Sequence, residues 1–216
     1  HQVVAEELPR CHRLAVMSGP TFAREVAANL PTAITVASPS EDFGHQISED
    51  LHSGRFRVYL SQDMIGVELG GAVKNVLAIA AGAADGLGFG ANTRAALITR
   101  GLAEMMRLGA AMGAQRETFM GLAGIGDLIL TCTDDQSRNR RTGLLMAKGK
   151  NLEQVRAEIG QAIEGINTAQ EVVSLARQYD VEMPISEQVY RVLYENVPID
   201  EAVNALLSRQ SSQENL

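Results

Sequence analysis

Between Gly66 and Gly82 the chain runs almost without interruption through small and apolar residues, Gly66-Val67-Glu68-Leu69-Gly70-Gly71-Ala72-Val73-Lys74-Asn75-Val76-Leu77-Ala78-Ile79-Ala80-Ala81-Gly82. Such a run reads as the middle of one long core helix, Met64 to Ala84. Lys74 is its anomaly. At helical spacing its neighbours are Gly70, Gly71, Leu77 and Ala78, a face with neither bulk nor an acid to pair with. Burial there disfavours the ammonium, which is what a general base working near neutral pH requires. The plainer alternative is a lysine whose stem lies along a core helix and whose head reaches water. Aromatic residues make up only 4% of the chain and Trp is absent, so the core must be built from Ala, Leu, Ile, Val, Met and Gly. That composition suits closely packed helices.

The organisation around this helix is unequal. Residues 1–61 carry β-like runs at Leu14–Met17, Thr32–Ala37 and Phe56–Leu60. Helical stretches lie between them, from Pro20 to about Asn29 and from Glu41 to His52. This is strand–helix–strand–helix–strand, the end of an α/β sheet. Residues 62–216 read as helical throughout. Further helices are expected at Thr93–Met112, Gln115–Met120, Asp127–Cys132, Arg138–Lys148, Leu152–Gly160, Thr168–Tyr179, Ile185–Glu195 and Asp200–Arg209. Met183-Pro184 and Val197-Pro198 mark breaks. The polar end, Ser211–Leu216, is expected to fray.

Two other stretches carry chemistry. Gly121-Leu122-Ala123-Gly124-Ile125-Gly126-Asp127 precedes an apolar run, which reads as a helix start with Asp127 as its N-cap. The glycines would let backbone and solvent space come close to the carboxylate. Asp134-Asp135-Gln136-Ser137-Arg138-Asn139-Arg140-Arg141 reads as a second helix start. Free N–H groups, a hydroxyl, an amide and arginine forks there make a phosphate site. A solvated basic turn would leave the same pattern.

Ser18-Gly19-Pro20-Thr21-Phe22-Ala23-Arg24-Glu25, Gly70 to Asn75, Gly124-Ile125-Gly126-Asp127-Leu128 and Ser137 to Arg141 occur in this order. Together they resemble the bacterial-type NAD(P)-dependent glycerol-3-phosphate dehydrogenases, along essentially the whole chain. The resemblance implies a Rossmann-like α/β remnant over 1–61. It implies an all-helical substrate-binding and catalytic domain, like the C-terminal domain of 6-phosphogluconate dehydrogenase, over 62–216. It also implies interconversion of sn-glycerol 3-phosphate and dihydroxyacetone phosphate with NAD or NADP, supplying glycerol 3-phosphate for phospholipid synthesis. Lys74 would be the base in oxidation and the proton donor in reduction. Asp127 would orient it or a substrate hydroxyl, its charge partly countering the desolvation. Ser137, Arg138 and Asn139 would hold the substrate phosphate, with Gly19 and Thr21 also at the substrate. Ala23, Arg138, Ala162 and Glu164 would touch the cofactor, with Asn75 and Thr131 as secondary candidates. Without the resemblance, Ala23 and Ala162 read as small packing residues and Glu164 as a solvated helix-end acid.

That family opens with a strand, a Gly-x-Gly-x-x-Gly turn and a helix that hold the cofactor pyrophosphate. Here the nearest pattern is Gly86-Leu87-Gly88-Phe89-Gly90, with the wrong spacing and after a helix rather than a strand. It reads as a loop ending the Lys74 helix. The expectation is therefore a chain that enters such a domain part-way and is inactive by itself. A net charge of −7 argues against nucleic acid or an anionic membrane as the main partner. Cys11 and Cys132 form no disulfide framework, with Cys132 read as core. His1, His12, His45 and His52 show no metal-ligand spacing. No charge-free apolar run reaches the ~20 residues of a membrane span. A cytoplasmic location is expected and a homodimer stays open. Two rival functions remain: a related dehydrogenase for another hydroxy compound, and a non-catalytic helical dimerisation module.

Overall fold

In the computed structural model, residues 1–8, 10 and 13–209 are described. Cys11, His12 and the Ser211–Leu216 end lie outside them. The chain opens with α1 (Gln2–Glu7), followed by β1 (Val16–Ser18), α2 (Ala23–Ala27), β2 (Thr32–Ala37), α3 (Glu41–Leu51) and β3 (Phe56–Ser61). The strands form one sheet in the order β1-β2-β3. β2 runs parallel to β3, Thr32 opposite Phe56 and Ala37 opposite Ser61, with α3 as the crossover. β1 runs antiparallel to β2, Val16 opposite Ala37, a pairing that strand-like composition cannot reveal. β2 is the central strand and buries Ile34, Val36 and Ala37. α2 is much shorter than expected. The Thr21 hydroxyl donates back to the Gly19 carbonyl at 3.1 Å, and Phe22 is extended, so the helix cannot begin at Pro20. It closes before Asn29, whose φ is +56°.

The rest is helical: α4 (Met64–Gly86), α5 (Ala91–Ala111), α6 (Arg116–Phe119), a π-helical turn (Leu122–Gly126), α7 (Asp127–Thr133), α8 (Arg138–Ala147), α9 (Leu152–Ile159), α10 (Glu164–Gln178), α11 (Pro184–Tyr194) and α12 (Ile199–Leu207). α4 is the axis. Asp63 caps it, accepting from the Gly66 N–H at 2.8 Å, and also takes the Gln115 N–H and the Thr118 hydroxyl at the start of α6. α5, α7, α8 and α10 pack around it, leaving Val73 and Val76 without exposure. By length and composition alone α4 is apolar enough to cross a bilayer, but here it is the centre of the helical core. A smaller cluster of Ala37, Met64, Val67 and Ala123 joins the sheet to α4.

α4 and α8 cross with backbones in contact. A Cβ on Gly82 would overlap the Arg140 carbonyl, and one on Gly143 would overlap the Ile79 carbonyl. Two helix starts are capped by side chains from elsewhere. Asn139 Oδ1 on α8 accepts from the Gly165 N–H at 2.9 Å, which starts α10 at Glu164 rather than Thr168. Glu104 on α5 accepts from the Ile185 and Ser186 N–H groups at 2.6 and 3.1 Å, capping α11, whose own N-cap Met183 has no side-chain acceptor.

Candidate active site

Lys74 lies on the α4 face turned toward the π turn and α7. Gly70 makes this approach possible, because a Cβ there would overlap the Ala123 carbonyl of the π turn. The acid missing from the lysine's own helix is thereby delivered from another one: Lys74 Nζ forms a short ion pair with Asp127 Oδ2. Asp127 is not the N-cap expected from the sequence. The π turn runs directly into α7, Gly126 holds the cap position, and Asp127 is already helical, with 2% of its side chain exposed. The reason is Gly124, whose non-helical φ and ψ of −101° and −106° kink the chain and turn the carboxylate inward.

Asp127 is held on both oxygens. Oδ2 takes Lys74 and the Ser18 hydroxyl at 3.4 Å, and the Thr131 hydroxyl is shared between the Asp127 backbone carbonyl at 2.6 Å and Oδ1 at 3.2 Å. Burial pushes its carboxyl above the ordinary 3.8, against the opposing pull of the Lys74 ammonium and the Thr131 and Ser18 hydroxyls. Lys74 keeps 18% of its side chain exposed, so the pair is closed on the aspartate side and open on the lysine side.

The open side faces a cleft of about 690 Å³, within the range of small-molecule and cofactor sites. Thr21, Ala23, Lys74, Asn75, Asp127, Thr131, Ser137, Arg138, Asn139 and Glu164 all line it, so the structure brings most of the sequence candidates together. Gly19 and Ala162 do not line it. Gly19 is buried behind Thr21, where a Cβ would stand 3.0 Å from the Ile34 Cα. Ala162 is exposed, and its neighbour Gln161 lines the cleft instead.

The far wall is the start of α8. Ser137 caps it, accepting from the Arg140 N–H at 3.2 Å. The N–H groups of Arg138 and Asn139, first in the helix, have no intrahelical acceptor by geometry and carry the positive end of the helix dipole. Arg138 pairs with Glu164 at 2.9 Å, so that acid is not merely solvated. Asn139 also donates to Asn75 Oδ1 at 2.9 Å, tying the α8 start to the residue after Lys74. Arg140 turns away from the cleft and binds Asp85, at 2.6 Å, and Asp135. Arg141 lines the cleft instead, as does Arg24 of α2, whose neighbour Glu25 accepts from Gln136 at 3.1 Å. Arg141 belongs to the basic helix start already legible in the sequence, whereas Ser18 and Arg24 carry no role there and only the fold brings them here. Cys132 is buried, and burial pushes its thiol up to about 12, which keeps it protonated at neutral pH.

The profile described as "NAD-dependent glycerol-3-phosphate dehydrogenase C-terminus" matches residues 63–204, and the corresponding N-terminus profile matches residues 1–44. A glycerol-3-phosphate dehydrogenase [NAD(P)+] of Thioalkalivibrio sulfidiphilus is 61% identical over 214 residues, covering 99% of this chain and 64% of that protein. One from Photobacterium profundum is 58% identical over 212 residues, covering 98% of this chain and 62% of that protein. The chain thus spans less than two thirds of the length of these curated relatives. The crystal structure of glycerol-3-phosphate dehydrogenase from Coxiella burnetii superposes with a TM-score of 0.94 at 54% identity, over 97% of this chain and 64% of that one. The Saccharomyces cerevisiae enzyme superposes with a TM-score of 0.84 at 31% identity, over 95% of this chain and 62% of that one.

Proposed function

Since the chain belongs to the NAD-dependent glycerol-3-phosphate dehydrogenase family, we propose that it carries the acid–base pair and substrate phosphate site of an enzyme that interconverts sn-glycerol 3-phosphate and dihydroxyacetone phosphate. The observation that carries this reading is the Lys74–Asp127 pair, open to a cleft whose opposite wall is the α8 start.

On this reading the work divides between a phosphate site and a proton-transfer site. Arg138, Asn139 and the Ser137 hydroxyl hold the phosphate at the α8 N-terminus, where a dianion meets a positive dipole end and a guanidinium. This fixes the three-carbon chain so that its secondary oxygen reaches Lys74. In reduction, an N–H bond of Lys74 breaks and the new hydroxyl O–H forms. In oxidation the neutral amine takes that proton back. Asp127 keeps the lysine head in place, and Thr131 keeps Asp127 in place. The cleft has more room than a three-carbon phosphate needs, and Ala23, Arg138 and Glu164 are among the residues that line it, which fits a nicotinamide cofactor, NAD or NADP. That cofactor supplies or accepts the hydride. Ala23 leaves it space, and Arg138 and Glu164 offer polar contacts. The roles of Gly19 and Ala162 rest on the resemblance alone. A division near residues 61 and 62, a cytoplasmic location, a homodimeric assembly and a supply of glycerol 3-phosphate for phospholipid synthesis belong to the same reading.

The test is oxidation of NADH and of NADPH by the protein at the full length of its relatives, with dihydroxyacetone phosphate and with unphosphorylated dihydroxyacetone. Turnover that requires the phosphate is the expected result. Equal turnover of both ketones contradicts the phosphate site, and no turnover of either contradicts the reading.

A further inference from the structure

Resting on the reading of Lys74 as the acid–base group, we propose that Ser18 is a positioning residue for the reaction, holding the Asp127 carboxylate in place while Lys74 is without its proton. Ser18 is the last residue of β1, and its hydroxyl reaches from the sheet to the pair, 3.4 Å from Asp127 Oδ2. That is the oxygen that also takes the Lys74 ammonium. Room for the hydroxyl comes from Gly71 on α4, where a Cβ would stand 2.7 Å from Ser18 Oγ. Neither residue has a place in the proton transfer itself.

The chemistry explains what the hydroxyl does. As the ketone is reduced and the nicotinamide oxidised, one Lys74 N–H bond breaks and the substrate O–H bond forms. Lys74 becomes neutral, and Asp127 loses the charge that offset its burial. With 2% of its side chain exposed, no water shell replaces that charge. A buried carboxylate left so exposed to its own desolvation competes with the substrate for the proton. Ser18 then remains as the side-chain donor on Oδ2, while Oδ1 has only its share of the Thr131 hydroxyl, which also donates to the Asp127 carbonyl. The other charged groups facing the cleft are Arg24 on α2, Arg138 and Arg141 on α8, and Glu164 on α10. The thiol of Cys132 stands near Asp127 on α7 and stays protonated.

The experiment compares Ser18→Ala, Ser18→Thr and Gly71→Ala with the parent in the protein at the full length of its relatives, reading kcat, both KM values and the pH profile of kcat. Ser18→Ala should lower kcat about tenfold, the value of one hydrogen bond to a charged group. Both KM values should stay within about twofold, because the contact matters only after proton transfer begins. The hydroxyl favours ionised Asp127, so its loss should move the acid limb of the profile to higher pH. Ser18→Thr should restore kcat and the limb. Gly71→Ala, which displaces the hydroxyl without removing it, should reproduce the limb shift. An unchanged acid limb in both Ser18→Ala and Gly71→Ala overturns the proposal, as does a threonine variant no better than the alanine one. A parent protein inactive on the phosphorylated ketone overturns the underlying reading instead.

Discussion

Lys74 and Asp127 depend on each other in unequal ways. Lys74 keeps some water, whereas Asp127 has exchanged water for three donors, Lys74, Ser18 and Thr131. Replacing Asp127 by Asn removes the charge that anchors the ammonium and puts an amide N–H where a donor already stands. Turnover should fall about 10²-fold, since a misplaced catalytic group loses that much, while substrate KM changes little. A kcat within a few-fold of the parent would count against Asp127 as the anchor. Arg138 presents a different case, because its guanidinium serves two acids at once: Glu164 in the structure and the phosphate in the proposed complex. Arg138→Lys substitutes a point charge for a planar fork. It should raise KM for the phosphorylated substrate about tenfold or more with a smaller change in kcat, and an unchanged KM would leave the α8 start as a solvated turn. Lys74 was legible in the sequence because an ion in an apolar run is a local anomaly. Ser137 to Asn139 were legible because a helix start is a local pattern. The Lys74–Asp127 geometry and the Ser18 contact join residues 53 and 109 positions apart, and no periodicity encodes such a distance.

At the level of elements, the cleft is as wide as the crossing of α4 and α8 makes it. Gly82 and Gly143 allow the two backbones to touch, and Lys74 on α4 and the α8 start line the same cleft. Gly143→Ala puts a methyl into the Ile79 carbonyl, a backbone atom that cannot rotate away. The cost should be at least the ~1–3 kcal/mol of core overpacking, read as a lower denaturation midpoint, together with a raised substrate KM because the α8 start moves. A variant as stable as the parent would show that the helices separate without strain. Periodicity located most helices well because their apolar faces are regular. It failed at α10 and α2. At α10 the cap comes from Asn139 of another helix, and at α2 the Thr21 bond to Gly19 outcompetes the first helical turn. The antiparallel β1 was equally invisible, since strand composition carries no direction.

Over the whole molecule, the buried acid Glu104 links stability to pH. Burial pushes Glu104 from 4.5 up to about 7, opposed by the Ile185 and Ser186 N–H groups, the Ser186 hydroxyl and the Arg107 charge. The folded state therefore binds this proton more tightly than the unfolded chain does. Its contribution is full below pH 4.5 and lost as pH rises through 7, by about 3 kcal/mol in total. Chemical denaturation at pH 5 and pH 8 should show that decline in the parent and a flatter profile in Glu104→Gln. Equal slopes would assign the pH dependence elsewhere. The sheet and the helical body meet at the Ala37, Met64, Val67 and Ala123 cluster, and the Ser18–Asp127 bond crosses the same junction. On the proposed reading, the proton of the reaction belongs to Lys74. The most direct test is single-turnover reduction of dihydroxyacetone phosphate by the Lys74→Ala variant of the protein at the full length of its relatives, with cofactor binding followed separately by fluorescence. The predicted result is a chemical step slower by about 10²–10⁴-fold with cofactor affinity retained; a step at close to the parent rate would contradict it.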